Sequence, residues 1–384
     1  MYNILNDIRV LDLCRYISGP SCCRILGDMG AEVIKVEKAG RGDDTRVMGP
    51  YYNGTSLYFP SYNRNKKSVT VDFRSDNGKE LLRRLIAKSD VIVENFKAGT
   101  MAAMGLSFEE IHKINPRAIL VSITGFGQTG PDAKRPAYDA IVSYRGRMYE
   151  DLGNGHFSLG GGMLSDVMAG INAALSVMLA LYSRQQTGLG QHIDLCMLTS
   201  SVSSMPMDMA NYFFNGPSAN MLIDSPNGFF LTKDDKWMML IAGPQSMFLR
   251  LREIVDDPVI KDEKYLTIPA RIQENELLLE HVHAWVRTKT SEEMDQLMSE
   301  AGITCVKVSG WDDVLQDKQL LHRNDLLQME IDGIGKVPYV RFPAKFSGLE
   351  YVEDTPPPQL GADNTAILTG LLGMSPDEVA RYTT

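Results

Sequence analysis

The sequence predicts an α/β fold built around a parallel sheet and followed by a smaller α+β domain. Three observations carry this reading. The first two hundred residues alternate short apolar runs with amphipathic stretches. The texture changes to charged helices near Asn227, and the chain becomes extended again at Pro338 to Pro343.

Each element has its own signal. Ile8 to Leu13 reads as a buried strand, a helix through Cys22 to Asp28 ends at Gly30, and Glu32 to Val36 reads as the next strand. Strand, helix, strand implies parallel pairing. The rhythm repeats: the spacing of Leu81, Leu82, Leu85 and Ile86 predicts a helix over Gly78 to Lys88, Val91 to Val93 is a strand, and Phe108 to Asn115 is a helix. After the Asn115-Pro116 turn, Ala118 to Ile123 supplies a fourth apolar run. Ala169 to Arg184 is the most apolar helix candidate, expected in the core and stopped by Thr187, Gly188 and Gly190; Gln191 to Leu195 follows as a strand. Met197, Met205, Met207, Met209 and Met221 admit two readings, ordinary packing or a flexible apolar binding wall.

The smaller α+β domain opens with a hairpin around Lys233 to Lys236 and continues in charged helices at Leu249 to Ile254 and Leu277 to Lys289. The expected domains are 1–226 together with 331–384, and 227–330. Thr355-Pro356-Pro357-Pro358 reads as a rigid spacer.

Composition narrows the function. The chain has 384 residues, 44% hydrophobic and 23% charged, which is ordinary globular usage. Its net charge of −9 lacks the basic footprint of a nucleic-acid or anionic-membrane binder. Five cysteines without a CxxC pair or a zinc-type histidine spacing are expected to be reduced thiols, with no metal site. The opening MYNILNDIRVLDLC has neither a basic start nor a long apolar segment, and the apolar stretch from Ile171 to Tyr182 is short of the roughly 20 residues a bilayer span needs. A cytoplasmic protein with no membrane segment is therefore expected.

Phosphate-binding motifs are absent where the first strand ends. The one GxGxxG, Gly125 to Gly130, is followed by Pro131 and Pro136 where a phosphate-binding helix would have to open, so it reads as a turn. Between residues 35 and 74, eight basic side chains (Lys35, Lys38, Arg41, Arg46, Arg64, Lys66, Lys67, Arg74) face four acidic ones (Glu37, Asp43, Asp44, Asp72). This excess of +4 suits either a phosphorylated ligand or a mixed solvated surface. The six histidines form no HExxH and no GxSxG occurs, which disfavours zinc and triad hydrolases.

Asp166 is the strongest single candidate. It follows Gly160-Gly161-Gly162 and heads the apolar helix, where a carboxylate serves either as a helix N-cap or as a nucleophile against an activated carbonyl. Position alone leaves both readings open.

Taken together, VLDLCRYISGP from Val10, GAEVIKVEKAGRGDDTR from Gly30, LYFPSYNRNKKSVTVDFRSDNG from Leu57, VIVENFKAGTMAAMGL from Val91, GFGQTGP from Gly125, AYDAIV from Ala137, GGGMLSDVMAGINAAL from Gly160 and PQLGADNT from Pro358 form a specific series. The chain resembles the class III CoA-transferases, the CaiB/BaiF family that includes formyl-CoA, carnitine and bile-acid CoA-transferases. The resemblance implies a discontinuous Rossmann-like large domain, an inserted smaller domain and two subunits threaded through each other as interlocked rings. It also implies that Asp166 attacks an acyl-CoA thioester, that a carboxylic acid is the acceptor, and that coenzyme A (CoA) is held by Arg15, Tyr16, Ile17, Lys38, Arg74, Asn95, Phe96, Met104, Tyr138 and Asp139. The attacking carboxylate is expected to be ionised.

Two departures from the formyl-CoA enzyme stand out. Ile17 replaces a glutamine near the reaction centre and Ala103 replaces an arginine on CoA, while that enzyme's glycine-only loop is absent. A medium-to-large apolar acyl group is expected in place of a small polar one. The alternatives are an α-methylacyl-CoA racemase, whose base histidine is replaced here by Tyr138, and a catalytically idle CoA-binding protein.

Overall fold

The computed structural model describes residues 1–153, 156–216 and 222–383, so Met221 lies outside the described residues. The chain divides into two compact units, Met1–Pro206 with Gln319–Thr384, and Met207–Lys318. The expected boundaries at 226/227 and 330/331 lie further along the chain than these. The first fell where a strand begins, although the helix Pro206–Asn215 is already counted almost wholly with the second unit. The second fell inside a hairpin that belongs to the first unit.

The first unit is built on six strands: β1 (Arg9–Asp12), β2 (Glu32–Lys38), β3 (Lys66–Val71), β4 (Val91–Glu94), β5 (Ile119–Thr124) and β6 (His192–Cys196). All pairs are parallel, and the spatial order is β6-β5-β4-β1-β2-β3. Helices cover both faces, which is why most of these strands read as continuous apolar runs. Successive residues still point to opposite faces. Val10, Val33 and Val91 meet α1 (Ser18–Asp28) in a cluster that also holds Val121, while Leu11, Ile34, Ile92 and Leu120 pack with α2 (Asp76–Ile86) and α3 (Phe108–Ile114).

Two further helices place the functional residues: α4 (Asp139–Arg145) and α5 (Leu164–Thr187). Packing of α5 on α1 is close enough that a Cβ on Gly170 would lie 2.6 Å from Ser21 Cβ and 2.8 Å from the Ser18 carbonyl. Glycine is required there by the close approach. The helix begins five residues before the expected start and ends at Gly188, whose φ of 73° suits glycine.

Burial of α5 is one-sided, which corrects the expectation of a core helix. Ala169, Ala173, Val177 and Ala180 are buried, yet Leu175, Leu179 and Tyr182 are 57%, 61% and 65% exposed. At 24 residues α5 is also long and apolar enough to cross a bilayer by length and composition, with under half of its most apolar window buried. Counting only Ile171 to Tyr182 missed this, because the helix extends through polar residues on either side.

The second unit has a three-stranded antiparallel sheet of β7 (Asn227–Leu231), β8 (Trp237–Ile241) and β9 (Thr304–Lys307), covered by α6 (Gln245–Ile254), α7 (Asn275–Val286) and α8 (Ser291–Ala301). Phe230, Leu240, Phe248, Val282 and Met294 form its own core. Back in the first unit, the tail adds the hairpin β10 (Leu326–Ile331) and β11 (Gly335–Val340), then α9 (Asn364–Leu372), whose Asp363 and Asn364 side chains accept the Ser68 and Thr70 N–H groups of β3 at 2.8 Å.

Candidate active site

The sheet order places a topological switch at β1, with β2 on one side and β4 on the other. Open parallel sheets bind ligands in the crevice at such a point, beyond the carboxyl ends of the strands. Two segments meet there. The Asn95 side chain after β4 accepts the Arg15 N–H at 2.9 Å and donates to the Arg15 carbonyl at 2.7 Å and to Ser18 Oγ at 3.3 Å. Tyr16, next in line, has φ of 63°, a left-handed conformation uncommon for a bulky residue and held here by the flanking contacts.

Around this clamp the structure gathers several residues named from the sequence. The Arg15 guanidinium lies 5.9 Å from the Tyr16 ring and 6.0 Å from the Phe96 ring, and pairs with Asp44 at 3.1 Å. Tyr16 meets Tyr138 edge to face at 5.8 Å. Lys38 ends β2, Arg74 follows β3 and Met104 ends the short helix after β4, so all three stand beyond carboxyl ends of neighbouring strands. Ile17 is 1% exposed and therefore presents no apolar wall to a ligand.

Most of the basic excess between residues 35 and 74 is already neutralised inside the fold. Lys35 pairs with Asp43 at 2.9 Å, Lys66 with Asp12 at 2.9 Å, Arg46 with Glu37 at 2.7 Å and Arg64 with Asp28 at 2.6 Å. Lys38 and Arg74 stay exposed at the edge of the crevice. Sequence counting could not separate the two groups, because the pairing carboxylates include Asp12 and Asp28 from outside the counted segment.

Asp166 sits in the first turn of α5, and Met163, not Asp166, is the N-cap. The N-cap reading is thereby excluded. Its backbone N–H donates to Asp139 Oδ1 at 3.0 Å, so the buried Asp139 side chain ties the start of α4 to the start of α5. Asp139 was named as a CoA contact; its position beside Asp166 is the stronger observation. The Ser18 hydroxyl, contained in the RYISGP motif, acts on the Asp166 carboxyl by favouring its anion.

Electrostatics set this carboxyl apart. Burial and the adjacent Asp139 charge push Asp166 up to about 7, against the opposing Ser18 hydrogen bond. The helix N-terminus favours the anion that the resemblance implies, but burial and a like charge act against it. A carboxyl poised near neutrality, beside a crevice, is a nucleophile or base candidate. Tyr58 is held up to about 12 by burial and by Asp166, which places its hydroxyl within electrostatic reach of the same carboxyl.

One trio among the described residues, Asp12, Cys14 and Cys23, brings metal-type ligand atoms within 4.8 Å of one another. Asp12 is already held by Lys66 at 2.9 Å and approached by Lys35 at 3.9 Å, so two ammonium groups compete with any cation.

Comparison with known proteins agrees with this geometry. The model of CoA-transferase family III matches residues 5–364. The succinyl-CoA–D-citramalate CoA-transferase of Chloroflexus aurantiacus is 31% identical over 385 residues, covering 98% of this chain and 96% of the relative. The human succinyl-CoA:glutarate CoA-transferase is 34% identical over 377 residues, covering 96% and 86%. Among solved structures, a CaiB/BaiF family protein from Brucella suis superposes with a TM-score of 0.82 at 30% identity, covering 97% of this chain and all of that one. The crevice at β1, the poised Asp166 and these full-length likenesses lead to one conclusion: the chain belongs to CoA-transferase family III, the CaiB/BaiF group, and is a CoA-transferase.

Proposed function

We propose that Asp166 is the nucleophile of this transferase and that CoA lies across the β1/β4 crevice. The observation that carries the reading is the half-buried carboxyl of Asp166 at the start of α5, tied to the buried Asp139 through its N–H and raised to near neutrality, with Ser18 of the Asn95 clamp acting on it. The Asp166 carboxylate adds to the thioester carbonyl of the donor, the carbon–sulfur bond breaks, and a mixed anhydride and CoA thiolate result. The thiolate then attacks the aspartyl carbonyl, releasing the donor acid and leaving an aspartyl thioester. The acceptor carboxylate displaces CoA from that thioester, and the returning thiolate takes the acyl group. No water enters, so the bond energy of the thioester is kept.

Arg15, Tyr16, Asn95, Phe96, Met104 and Tyr138 shape the CoA channel, the Ile17 backbone lies in its floor, and Lys38 and Arg74 offer charge to the phosphates. The burial of Ile17 takes its side chain out of the wall that an acyl group would meet. We take short dicarboxylic acids as the acyl class, because the relatives are named for succinate, glutarate, citramalate and malate. The exposed row Leu175, Leu179 and Tyr182 on α5 supports a homodimer.

The test is intact-protein mass spectrometry after incubation with acyl-CoAs and hydroxylamine. The wild type should gain the mass of an aspartyl hydroxamate at Asp166, and Asp166→Ala should not. Transfer without any trapped adduct would refute the covalent route.

A further inference from the structure

A charged side chain in the first unit lacks its counterpart. The half-buried Arg24 side chain on α1 donates no hydrogen bond and joins no ion pair among the described residues, and its Nε is buried without a partner. Ser21 Oγ, one turn earlier on the same helix, is buried without a partner as well. The carboxylates whose charge reaches Arg24 are already engaged: Asp28 accepts from Arg64 Nε and Nη2 at 3.0 and 2.6 Å, and Asp354 accepts from the chain's amino terminus at 2.8 Å and Asn65 at 2.7 Å. Arg64, a second cation, adds repulsion. A guanidinium so placed is costly without an anion.

Its location is what gives this meaning. Arg24 stands six residues beyond Ser18, about 9 Å along α1 and about a third of a turn round it, and the Ser18 carbonyl lies 2.8 Å from where a Cβ on Gly170, one turn beyond Asp166, would stand. Tyr62, stacked edge-on against Tyr58 at 6.1 Å, feels the charges of Arg24, Asp166 and Asp139 together. The offset is within the combined reach of an arginine side chain and a four- or five-carbon acyl chain attached at Asp166.

We propose that Arg24, with Tyr62 beside it, binds the far carboxylate of a dicarboxylic acyl group held on Asp166, and so sets the specificity of the enzyme. This rests on the reading of Asp166 as nucleophile. Donor and acceptor acyl groups occupy Asp166 in turn, so one guanidinium reads both. An arginine fork suits a carboxylate, and a charge-assisted pair discriminates strongly against an uncharged isostere.

The experiment compares succinyl-CoA with butyryl-CoA, and glutaryl-CoA with valeryl-CoA, as donors for the wild type, Arg24→Met and Arg24→Lys, reading the ratio of kcat/KM within each pair. The wild type should favour the dicarboxylic member by about 10²-fold, Arg24→Met should bring the ratio to within a few-fold of one, and Arg24→Lys should fall between. A ratio near one in the wild type overturns the proposal even if the variants do not fold. So does a ratio that survives in Arg24→Met, which would make Arg24 a structural residue. Transfer from neither dicarboxylic donor would bring down the dicarboxylic acyl class and this proposal together; transfer without preference brings down only this one.

Discussion

Asp12, buried, and Asp166, half-buried, are two carboxyls on either side of α1, and their surroundings drive them in opposite directions. At Asp12, at the end of β1, burial pushes the carboxyl up, but Lys35 and Lys66 more than offset it and hold it down to about 2. At Asp166, burial and Asp139 act together with only a serine hydroxyl opposing, and the group rises to about 7. The comparison shows how one fold separates a structural carboxylate from a reactive one. Pairing with cations fixes the first and silences it, whereas withholding cations leaves the second ready to attack.

The largest effect expected is the one that breaks this contrast chemically. Asp166→Ala should lower CoA transfer by at least about 10⁴-fold while keeping the fold, as read by steady-state assay and circular dichroism. Breaking the other side acts on stability. Lys66→Met leaves Asp12 with only the more distant Lys35, and urea unfolding should show a loss of about 3–5 kcal/mol.

A reversed sign sharpens the contrast. The carboxyl of Asp166 is raised on folding, so its contribution is fully present below about pH 4 and is lost as pH rises through about 7. Asp166→Asn removes that penalty. The variant should be more stable than the wild type at pH 8, by up to about 4 kcal/mol, and no more stable at pH 4. The smallest change concerns the like charge alone: Asp139→Asn retains an oxygen to accept the Asp166 N–H but removes the negative charge. The acid limb of kcat/KM for the acyl-CoA donor should move from about pH 7 downward by about one unit.

How far the sequence revealed these two regions follows from range. The strands of the sheet were legible because β-branched runs such as Val91–Glu94 carry their signal locally, and α2 because Leu81, Leu82, Leu85 and Ile86 share one face. Asp166 was legible from the glycines before it and the apolar helix after it. The start of α5 was not, since Met163 supplies no cap and three consecutive glycines with positive φ, 69°, 101° and 73°, deliver the chain into it. The roles of Lys35 and Lys66 were hidden for a different reason. Their partners Asp12 and Asp43 approach through strand packing and a loop, so local charge counting read buried ion pairs as a ligand patch. Arg24 and Ser18 were hidden in the same way, because helix spacing says which residues share a face but not what that face meets.

The central claim, that Asp166 exchanges an oxygen with each acid it processes, is tested most directly by isotope. Turnover with an acceptor acid carrying ¹⁸O in its carboxylate should leave ¹⁸O on the peptide containing Asp166, and the donor acid released in later cycles should carry it too. Turnover with both peptide and released acid unlabelled would contradict attack by Asp166.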